Sequence, residues 1–286
     1  MSRKFWKNTE VGIFRVLMFL ATSNIALALL LIIVSILYKG LPSLNWQMVT
    51  QVPRGGYYFG KEGGILNAII GSVYLSFGAT ILSFIVSLPL ALYINVHRVK
   101  QKRLVNTIRF FLDLLWGVPS IVYGALGFTI MIYFGLRASL LAGIITVTLF
   151  IIPIMVRSMD EIFKTVPKGL LEAALSLGST RSETSFKVLS RQCIPGIITA
   201  VLLAFGRAIG DAAAILFTTG YTDNIPTSLS QPAATLPLSI FFQLGSPIPE
   251  VQNRAYASAV VLTIIILIIS ITSRILSRKY FKERIK

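Results

Sequence analysis

The chain has little of what most soluble enzymes use for chemistry. Its 286 residues include one cysteine, Cys193, and one histidine, His97. A single cysteine allows no internal disulfide and no cysteine-based metal cluster, and a single histidine leaves little for a histidine-ligated metal or a histidine-dependent catalytic triad. Charged residues make up 13% of the chain, about half the ~25% of a typical soluble domain. These scarcities argue against most classes of soluble enzyme and predict no metal site.

Apolar residues are abundant and indicate the class of the protein. They form 55% of the chain, and the mean hydropathy is +0.76, which excludes a disordered protein. The net charge of +16 could indicate a nucleic-acid partner. It falls instead in short clusters between long uncharged runs, which is typical of a multi-span membrane protein in contact with lipid. We therefore expect no nucleic acid to bind.

Six apolar runs are long enough to cross the ~30 Å hydrocarbon core of a bilayer, which takes about 20 helical residues. The runs are Val16–Tyr38, Ile65–Val96, Phe110–Phe134, Ala138–Val156, Pro195–Gly220 and Ala255–Ile275. They lack the alternation of a membrane β-barrel, so the sequence predicts an all-α membrane protein with six transmembrane helices. The first run is too long for the apolar part of a signal peptide and is predicted to remain as a span.

The distribution of Lys and Arg predicts which way the spans run. One set of loops and termini carries 21 of these residues and the opposite set carries five. Basic segments lie on the cytoplasmic side, so both termini are predicted to be cytoplasmic. The predicted segments are a cytoplasmic N-terminus (1–15), a first span (16–38), an extracytoplasmic loop (39–64), a core of five spans (65–275) with a cytoplasmic loop (157–192), and a cytoplasmic C-terminus (276–286).

The cytoplasmic loop is predicted to contain two short helices with a break near Gly178, where a side chain larger than hydrogen is expected to crowd the helix turn. Ala173 and Ala174 give the first helix a small-residue surface beside Glu172. The second helix opens near Ser179 or Thr180, with Glu183 spaced for a capping box. An exposed small-residue helix suits docking into a groove of another protein. An ordinary interhelical loop is the alternative, and the spacing leaves both interpretations open.

Polar residues inside predicted spans are the candidate functional residues. Arg207 and Asp211 lie four residues apart in the fifth span and can pair along a helix. The pair either exists only for mutual neutralisation or presents a guanidinium to an anion. In the third span, Gly117 and Pro119 predict a helix break, which either frees a carbonyl or reflects close helix packing. Asp113, near one end of that span, is predicted to pair with a neighbouring base.

Three motifs resemble those of ABC-importer permeases. Glu172–Gly178 (EAALSLG) resembles the EAA loop of this family, which forms a coupling helix against the ATPase subunit. Gly117–Gly124 (GVPSIVYG) resembles a signature of phosphate permeases, and Arg207–Asp211 (RAIGD) resembles their Arg-Ala-Ile-Gly-Glu segment with Asp in place of Glu. Gly63–Gly71 resembles the A-type phosphate permease subunit. Val188–Arg191 departs from the family pattern, which has an Ile-x-Leu-Pro element there.

The resemblance implies the type I ABC importer permease fold and an ATP-driven, binding-protein-dependent importer of inorganic phosphate in a prokaryotic inner membrane. The residues that it implies for the substrate pathway are Arg207, Asp211 and Ser120. Those that it implies for coupling to the ATPase are Glu172, Ala173, Ala174 and Gly178.

The resemblance also implies the partners. They are a C-type permease subunit in a heterodimer, two copies of an ATPase subunit, and an extracytoplasmic phosphate-binding protein. ATP and Mg would be held by the ATPase, with no cofactor in this chain, since its Gly60-Lys61 pair is followed by Glu62 and not by the Ser or Thr of a phosphate-binding loop. The chain is therefore not expected to be an enzyme by itself. The alternatives are a permease for another oxyanion, such as sulfate or molybdate, and an ATPase-independent secondary transporter, a class that commonly has inverted repeats.

Overall fold

In the computed structural model, the backbone is described for residues 2–54, 62–97 and 101–282, and side chains for 10–54, 63–97 and 101–276. Residues 1, 55–61, 98–100 and 283–286, which include parts of the predicted outer loop and C-terminus, lie outside the described residues. The helices are α1 (Ser2–Gly40), α2 (Trp46–Thr50), α3 (Leu66–Leu92), α4 (Lys102–Gly117), α5 (Ser120–Tyr133), α6 (Leu140–Lys164), α7 (Lys168–Ser176), α8 (Arg181–Glu183), α9 (Ser190–Gln192), α10 (Ile194–Gly210), α11 (Leu236–Leu244) and α12 (Pro249–Lys282).

Shorter elements join these helices. A 3₁₀ turn, Leu41–Ser43, follows α1, and a π-helical turn, Tyr93–His97, continues α3. A second π-helical segment, Thr184–Leu189, connects α8 to α9. Two short antiparallel strands, β1 (Pro53–Arg54) and β2 (Glu62–Gly63), pair with Pro53 opposite Gly63.

The described residues contain four helices that are long and apolar enough to span a membrane: Glu10–Ser43, Leu66–His97, Leu140–Lys164 and Pro249–Leu276. Two further spans form if each of two bent helix pairs is counted once. The pair α4 and α5 bends by 94°, and the pair made of Arg181–Gln192 and α10 bends by 78°. The predicted all-α membrane fold is confirmed, with up to six spans in this part of the chain.

The third span is interrupted at the predicted break, and the fifth span is wrong as one continuous helix. The third span is interrupted at Val118, which is extended (φ −71°, ψ 129°), as expected for a residue before proline. The helix of the fifth span ends at Gly210, ten residues before the predicted end at Gly220. It ends there because Asp211 is extended (φ −89°, ψ 125°) and its side chain accepts a hydrogen bond from the N–H of Ala214, a local turn that competes with the helix.

The core lies around α6, against which α3, α4, α5 and α10 pack. Ile151, Met155 and Met159 of α6 are fully buried. The facing part of α3 presents small side chains, among them Ala79 and Ser83, both 0% exposed. Small residues let two helices approach closely where lipid supplies no hydrophobic driving force. The α3–α6 contact is therefore the framework on which the other helices are placed.

Two elements lie at the margin of this core. Every residue of α1 from 10 to 35 is exposed, and α1 packs mainly on α12, where Gly40 approaches the carbonyl of Tyr256. The apolar helix α11 is too short to span, and its first turn is buried against α3 and α12. The N–H of Leu236 donates to Ser72 Oγ of α3 at 2.7 Å. Thus α11 caps the bundle, while α1 presents an apolar surface outward.

Candidate functional site

The Arg207–Asp211 pair lies at the end of α10. The Asp211 side chain is 4% exposed, whereas that of Arg207 is 53% exposed. Asp211 Oδ1 accepts a hydrogen bond from the N–H of Ala214 at 2.8 Å, and Oδ2 lies 3.4 Å from Arg207 Nη2. The carboxylate is therefore buried and fixed, and the guanidinium is held loosely with one side open.

The guanidinium of Arg207 also lies over an aromatic ring. Its Cζ is 4.9 Å from the ring centroid of Phe150, a cation–π contact worth about 0.5–1 kcal/mol at an exposed site. Phe150, buried on α6, meets the ring of Tyr123 edge-on at 5.6 Å. Tyr123 Oη donates to the carbonyl of Leu115, in the last turn of α4, at 2.9 Å. A continuous series of contacts therefore links Arg207 to the end of α4.

The helix break lies where α4 ends at Gly117 and α5 begins at Ser120. Pro119 is the N-cap of α5 (φ −57°, ψ 139°), a place where its missing N–H leaves no helical hydrogen bond unmade. A Cβ on Gly117 would meet nothing within 4 Å, so close packing does not explain this glycine. Ser120 is half-buried. Among the described contacts of Arg207 and Asp211, none is to Ser120.

Gly124, at the other end of the same motif, does have a packing role. A Cβ there would lie 2.7 Å from the carbonyl oxygen of Ala213 and 2.9 Å from that of Ala214. These two residues belong to the turn that follows Asp211. Glycine at 124 thus lets α5 rest directly on the backbone that holds the Asp211 carboxylate.

The segment that connects α6 to α10, residues 165–192, is called here the connecting segment. In its first helix, α7, Glu172 and Ala173 are exposed and Ala174 is half-buried, and α7 contains no buried residue. Leu177, just after it, is 88% exposed. This surface is small-sided and apolar, as a docking helix requires.

Gly178 ends α7 with a backbone that favours glycine. Its φ is +86°. The N–H of Ser179 donates to the carbonyl of Ala174 at 3.2 Å, and the N–H of Gly178 donates to that of Leu175 at 3.1 Å, which is the Schellman pattern. A Cβ at Gly178 would meet nothing within 4 Å. The expectation that a larger side chain would crowd this turn is therefore wrong, and the constraint is the left-handed backbone.

The second helix of the connecting segment is anchored to the end of α3. Thr180 and Glu183 form the predicted capping box. Arg181 Nη1 donates to the carbonyl of His97, in the π-helical turn after α3, at 3.1 Å. The Glu183 carboxylate has its pKa lowered to about 2, first by the hydrogen bond from Lys187 and then by those from Thr180. The second helix thus begins at a defined point on the bundle.

A cluster that sequence reasoning missed lies at the Lys164 end of α6. The side chain of Asp160 is 0% exposed. Arg109 of α4 binds it through two hydrogen bonds, of 2.8 and 2.9 Å. Asn95 Nδ2 donates to it at 2.8 Å, Arg157 Nη1 at 2.7 Å, and Lys164 Nζ lies 3.0 Å away. These five residues are called here the Asp160 cluster. They join α4 and α6 to the end of α3.

Asp113 extends this cluster toward the surface. It accepts a hydrogen bond from Arg157 Nε at 2.6 Å, so its partner comes from α6, while Arg109, four residues before it, binds Asp160. The sequence signal was present as Arg157, Asp160 and Lys164 at helical spacing. It was missed because the fourth span was predicted to end at Val156, whereas α6 continues to Lys164. In the described part of the chain, no group of three or more His, Cys, Asp and Glu side chains is placed to hold a metal.

Comparison with known proteins gives the family. A family model described as "Binding-protein-dependent transport system inner membrane component" matches residues 85–286. The chain belongs to this family. It is therefore a multi-pass membrane permease component of a binding-protein-dependent transport system.

Relatives within this permease family are similar over most of their length. The chain is 32% identical to the "Phosphate transport system permease protein PstA" of Yersinia pestis over 251 residues, which cover 88% of this chain and 84% of that protein. It is 29% identical to the PstA protein of Haemophilus influenzae over 273 residues, covering 96% and 95%. It is also 29% identical to the "Probable ABC transporter permease protein YqgI" of Bacillus subtilis, covering 99% of each chain.

Solved permease structures share the fold. An inward-facing structure of the MetNI methionine ABC transporter matches with a TM-score of 0.63 at 20% identity, covering 75% of this chain and 95% of that one. A bacterial alginate ABC transporter, in complex with an alginate-bound periplasmic protein, matches with a TM-score of 0.65 at 16% identity, covering 97% and 98%. The predicted fold of a type I ABC importer permease is thereby confirmed.

The family match covers every site described above. The Arg207–Asp211 pair, the connecting segment and the Asp160 cluster all lie within residues 85–286. Helix α1, the exposed helix at the margin of the bundle, lies outside the matched range. The matched range therefore includes α4 to α12 and the connecting segment, but only the last part of α3.

Proposed function

We propose that this permease is the membrane subunit of an ATP-driven, binding-protein-dependent importer of inorganic phosphate. The observation that carries the proposal is the half-exposed guanidinium of Arg207 beside the buried carboxylate of Asp211, in a chain 32% identical to a phosphate permease. A guanidinium presents paired donors that match the oxygens of phosphate. Asp211 already occupies one side of it.

The geometry supports a transient anion contact. Because the Arg207–Asp211 contact is long, at 3.4 Å, an oxyanion can compete for the guanidinium without first breaking a short bidentate pair. The nearby carboxylate limits how tightly a dianion is held, which favours release. It can also accept a hydrogen bond from the P–OH group of a protonated phosphate, a contact that fully deprotonated sulfate does not offer. Ser120 is proposed as a further pathway residue at the start of α5.

The energy for import is proposed to come from partner subunits. Two ATPase copies would bind ATP and Mg, and one of them would dock on the connecting segment at Glu172, Ala173, Ala174 and Gly178. A C-type permease subunit would pair with this chain, and an extracytoplasmic phosphate-binding protein would deliver the anion. The exposed α7 surface and the fixed turn at Gly178 support this docking. This chain would hold no nucleotide and would not be an enzyme by itself.

The substrate is tested by uptake into vesicles containing the reconstituted complex with its binding protein. We expect ATP-dependent accumulation of ³²P-phosphate that unlabelled phosphate abolishes and tenfold excess sulfate or molybdate does not. ATP-dependent uptake of sulfate or molybdate instead of phosphate would support the other-oxyanion alternative. Uptake that continues without the ATPase subunit would support a secondary transporter.

The sidedness is tested by labelling single cysteines in a Cys193→Ala background. Cysteines at Ser43 and Ser228 are expected to react with an impermeant maleimide added to intact cells, and a cysteine at the exposed Ser182 is expected to react only after permeabilisation. Labelling of the Ser182 position from outside would overturn the proposed orientation.

The coupling role is tested at Gly178. A non-glycine residue in the left-handed region costs about 1–2 kcal/mol, and Asn tolerates it better than a β-branched residue does. We expect Gly178→Val to reduce co-purification of the ATPase and phosphate uptake at least tenfold, and Gly178→Asn to keep both within about threefold. Equal behaviour of the two variants would contradict a role for the turn geometry.

A further inference from the structure

The Asp160 cluster lies near two points at which the connecting segment is attached to the bundle. On one side, α6 ends at Lys164, a member of the cluster, and α7 begins only four residues later. On the other side, Arg181 is hydrogen-bonded to the carbonyl of His97. His97 lies two residues after Asn95, another member of the cluster. A displacement of the connecting segment therefore reaches Asp160 through two separate elements.

The same cluster holds the helix that leads to the break. Arg109, on α4, donates two hydrogen bonds to the Asp160 carboxylate. Eight residues later α4 ends at Gly117, and α5 turns away from it by 94°. Tyr123 of α5 joins the end of α4 to Phe150 and so to Arg207. The helices that meet at the cluster therefore lead in two directions. They are joined to the connecting segment, and through α4, Tyr123 and Phe150 they are joined to Arg207.

The chemistry of the cluster makes this attachment firm. Asp160 is fully buried, and its two oxygens accept from Asn95, Arg109 and Arg157 with Lys164 close by. Removing one partner of a buried, hydrogen-bonded charge pair leaves the other uncompensated, so separating these groups is costly. Asp113 adds a second bond between α4 and α6. This ion pair is weaker because the Asp113 side chain is 50% exposed.

We propose that Asp160 is a positioning residue of the transport cycle, through which movement of the connecting segment is passed to α4 and the α4–α5 bend. It acts through Arg109 and touches neither substrate nor nucleotide. The proposal rests on the proposed function, since it assigns Asp160 to the coupling of ATP hydrolysis to transport. Spatial connection alone does not establish coupling, so the test measures coupling itself.

The first experiment compares phosphate transported per ATP hydrolysed in the reconstituted complex. Asp160→Asn keeps the shape of the side chain and removes its charge, and we expect at least a tenfold lower ratio in complexes that have assembled. Glu161→Gln, at an exposed carboxylate on the same helix, is the matched control and is expected to stay within twofold of the parent. A merely structural role for Asp160 predicts less assembled complex with a parental ratio, and that result would overturn the proposal.

Two further variants keep the test valid if Asp160→Asn assembles poorly. The double variant Arg109→Gln/Asp160→Asn removes one positive and one negative charge, so the charge balance is restored. We expect it to assemble like the parent and to keep the low ratio. Asp160→Glu retains the carboxylate and is expected to recover at least a third of the parental ratio. A parental ratio in the assembled double variant would contradict the proposal.

A readout without substrate separates this proposal from the proposed function. Spin labels at the exposed positions Arg103 and Tyr133, in a Cys193→Ala background, report the distance across the α4–α5 bend. In the otherwise parental complex, ATP with vanadate is expected to shift this distance. In Asp160→Asn the shift is expected to be lost, while a separate assay without vanadate still shows ATP hydrolysis. The same shift in both complexes would overturn the role of Asp160. If the parent shows the shift and imports no phosphate, only the proposed function fails.

Discussion

Two arginine–aspartate pairs of this permease use the same chemistry in opposite ways. At the Asp160 cluster, Arg109 binds a fully buried carboxylate by two hydrogen bonds of 2.8 and 2.9 Å, and its own side chain is 24% exposed. At the end of α10, Arg207 lies 3.4 Å from Asp211 and is 53% exposed. The guanidinium of Arg109 is hydrogen-bonded to protein atoms, while that of Arg207 has N–H donors available to an anion.

The difference follows from how each carboxylate is satisfied. A buried charge is tolerated when it is paired and hydrogen-bonded, and Asp160 meets this requirement with donors from three separate elements. One carboxylate oxygen of Asp211 accepts a hydrogen bond from the N–H of Ala214 within its own turn. Only the other oxygen contacts Arg207. A saturated pair, in which both carboxylate oxygens have close donors, serves to hold helices together. An unsaturated pair, in which the guanidinium has one long contact, can exchange partners during transport.

The largest expected effect is on transport at the open pair. Arg207→Gln keeps length and polarity but removes the charge, so the proposed anion contact is lost. We expect phosphate uptake to fall at least 100-fold while the complex inserts and assembles at parental levels, as measured by co-purification of the ATPase subunit. Uptake at the parental rate would show that Arg207 is only a structural partner of Asp211.

The next effect is on stability and contrasts the two carboxylates directly. Asp160→Ala removes a fully buried carboxylate and leaves the half-buried Arg109 without its ion pair, and breaking a buried pair typically costs about 3–5 kcal/mol. Asp211→Ala loses one hydrogen bond, a cost of about 1–2 kcal/mol. Thermal unfolding of the detergent-purified complex, followed by near-UV circular dichroism, should therefore show a clearly larger loss for Asp160→Ala. The opposite order would invalidate the distinction between a saturated and an unsaturated pair.

A smaller effect is expected when the charge at 207 is kept but its shape is changed. Lysine offers a compact ammonium in place of a planar fork of donors. Arg207→Lys is expected to raise the KM for phosphate by roughly tenfold, or about 1.4 kcal/mol, and to change stability little. An unchanged KM would indicate that only the charge at this position matters.

The smallest effect concerns the ring beneath the guanidinium. Phe150→Leu removes a cation–π contact of about 0.5–1 kcal/mol and keeps the core apolar, so a two- to fivefold rise in KM is expected. Phe150→Tyr is the control that keeps an aromatic face. Identical uptake kinetics in the Leu variant would show that Phe150 only fills the core.

The sequence motifs located an ion pair and a helix break but did not give their geometry. Arg207 and Asp211 were paired from their spacing of four residues, and the break near Gly117 and Pro119 followed from the chemistry of proline. The carboxylate that binds Arg109 was missed, because the choice between Asp113 and Asp160 depends on how α4 lies against α6. The role assigned to Gly178 was also changed, since its φ of +86° and the empty space around it are properties of the folded turn.

By itself, the sequence determined the membrane class, the apolar helices and the family motifs, because hydropathy, helix capping and proline breaks depend on residues close together in the chain. Only the tertiary structure decided how far α5 turns away from α4, where α10 ends, and which acidic group each arginine binds. Those outcomes depend on contacts between residues such as Asn95, Arg109 and Asp160, which are far apart in the chain. A buried carboxylate takes the donors that packing brings to it, and spacing along the chain does not specify which donors those are.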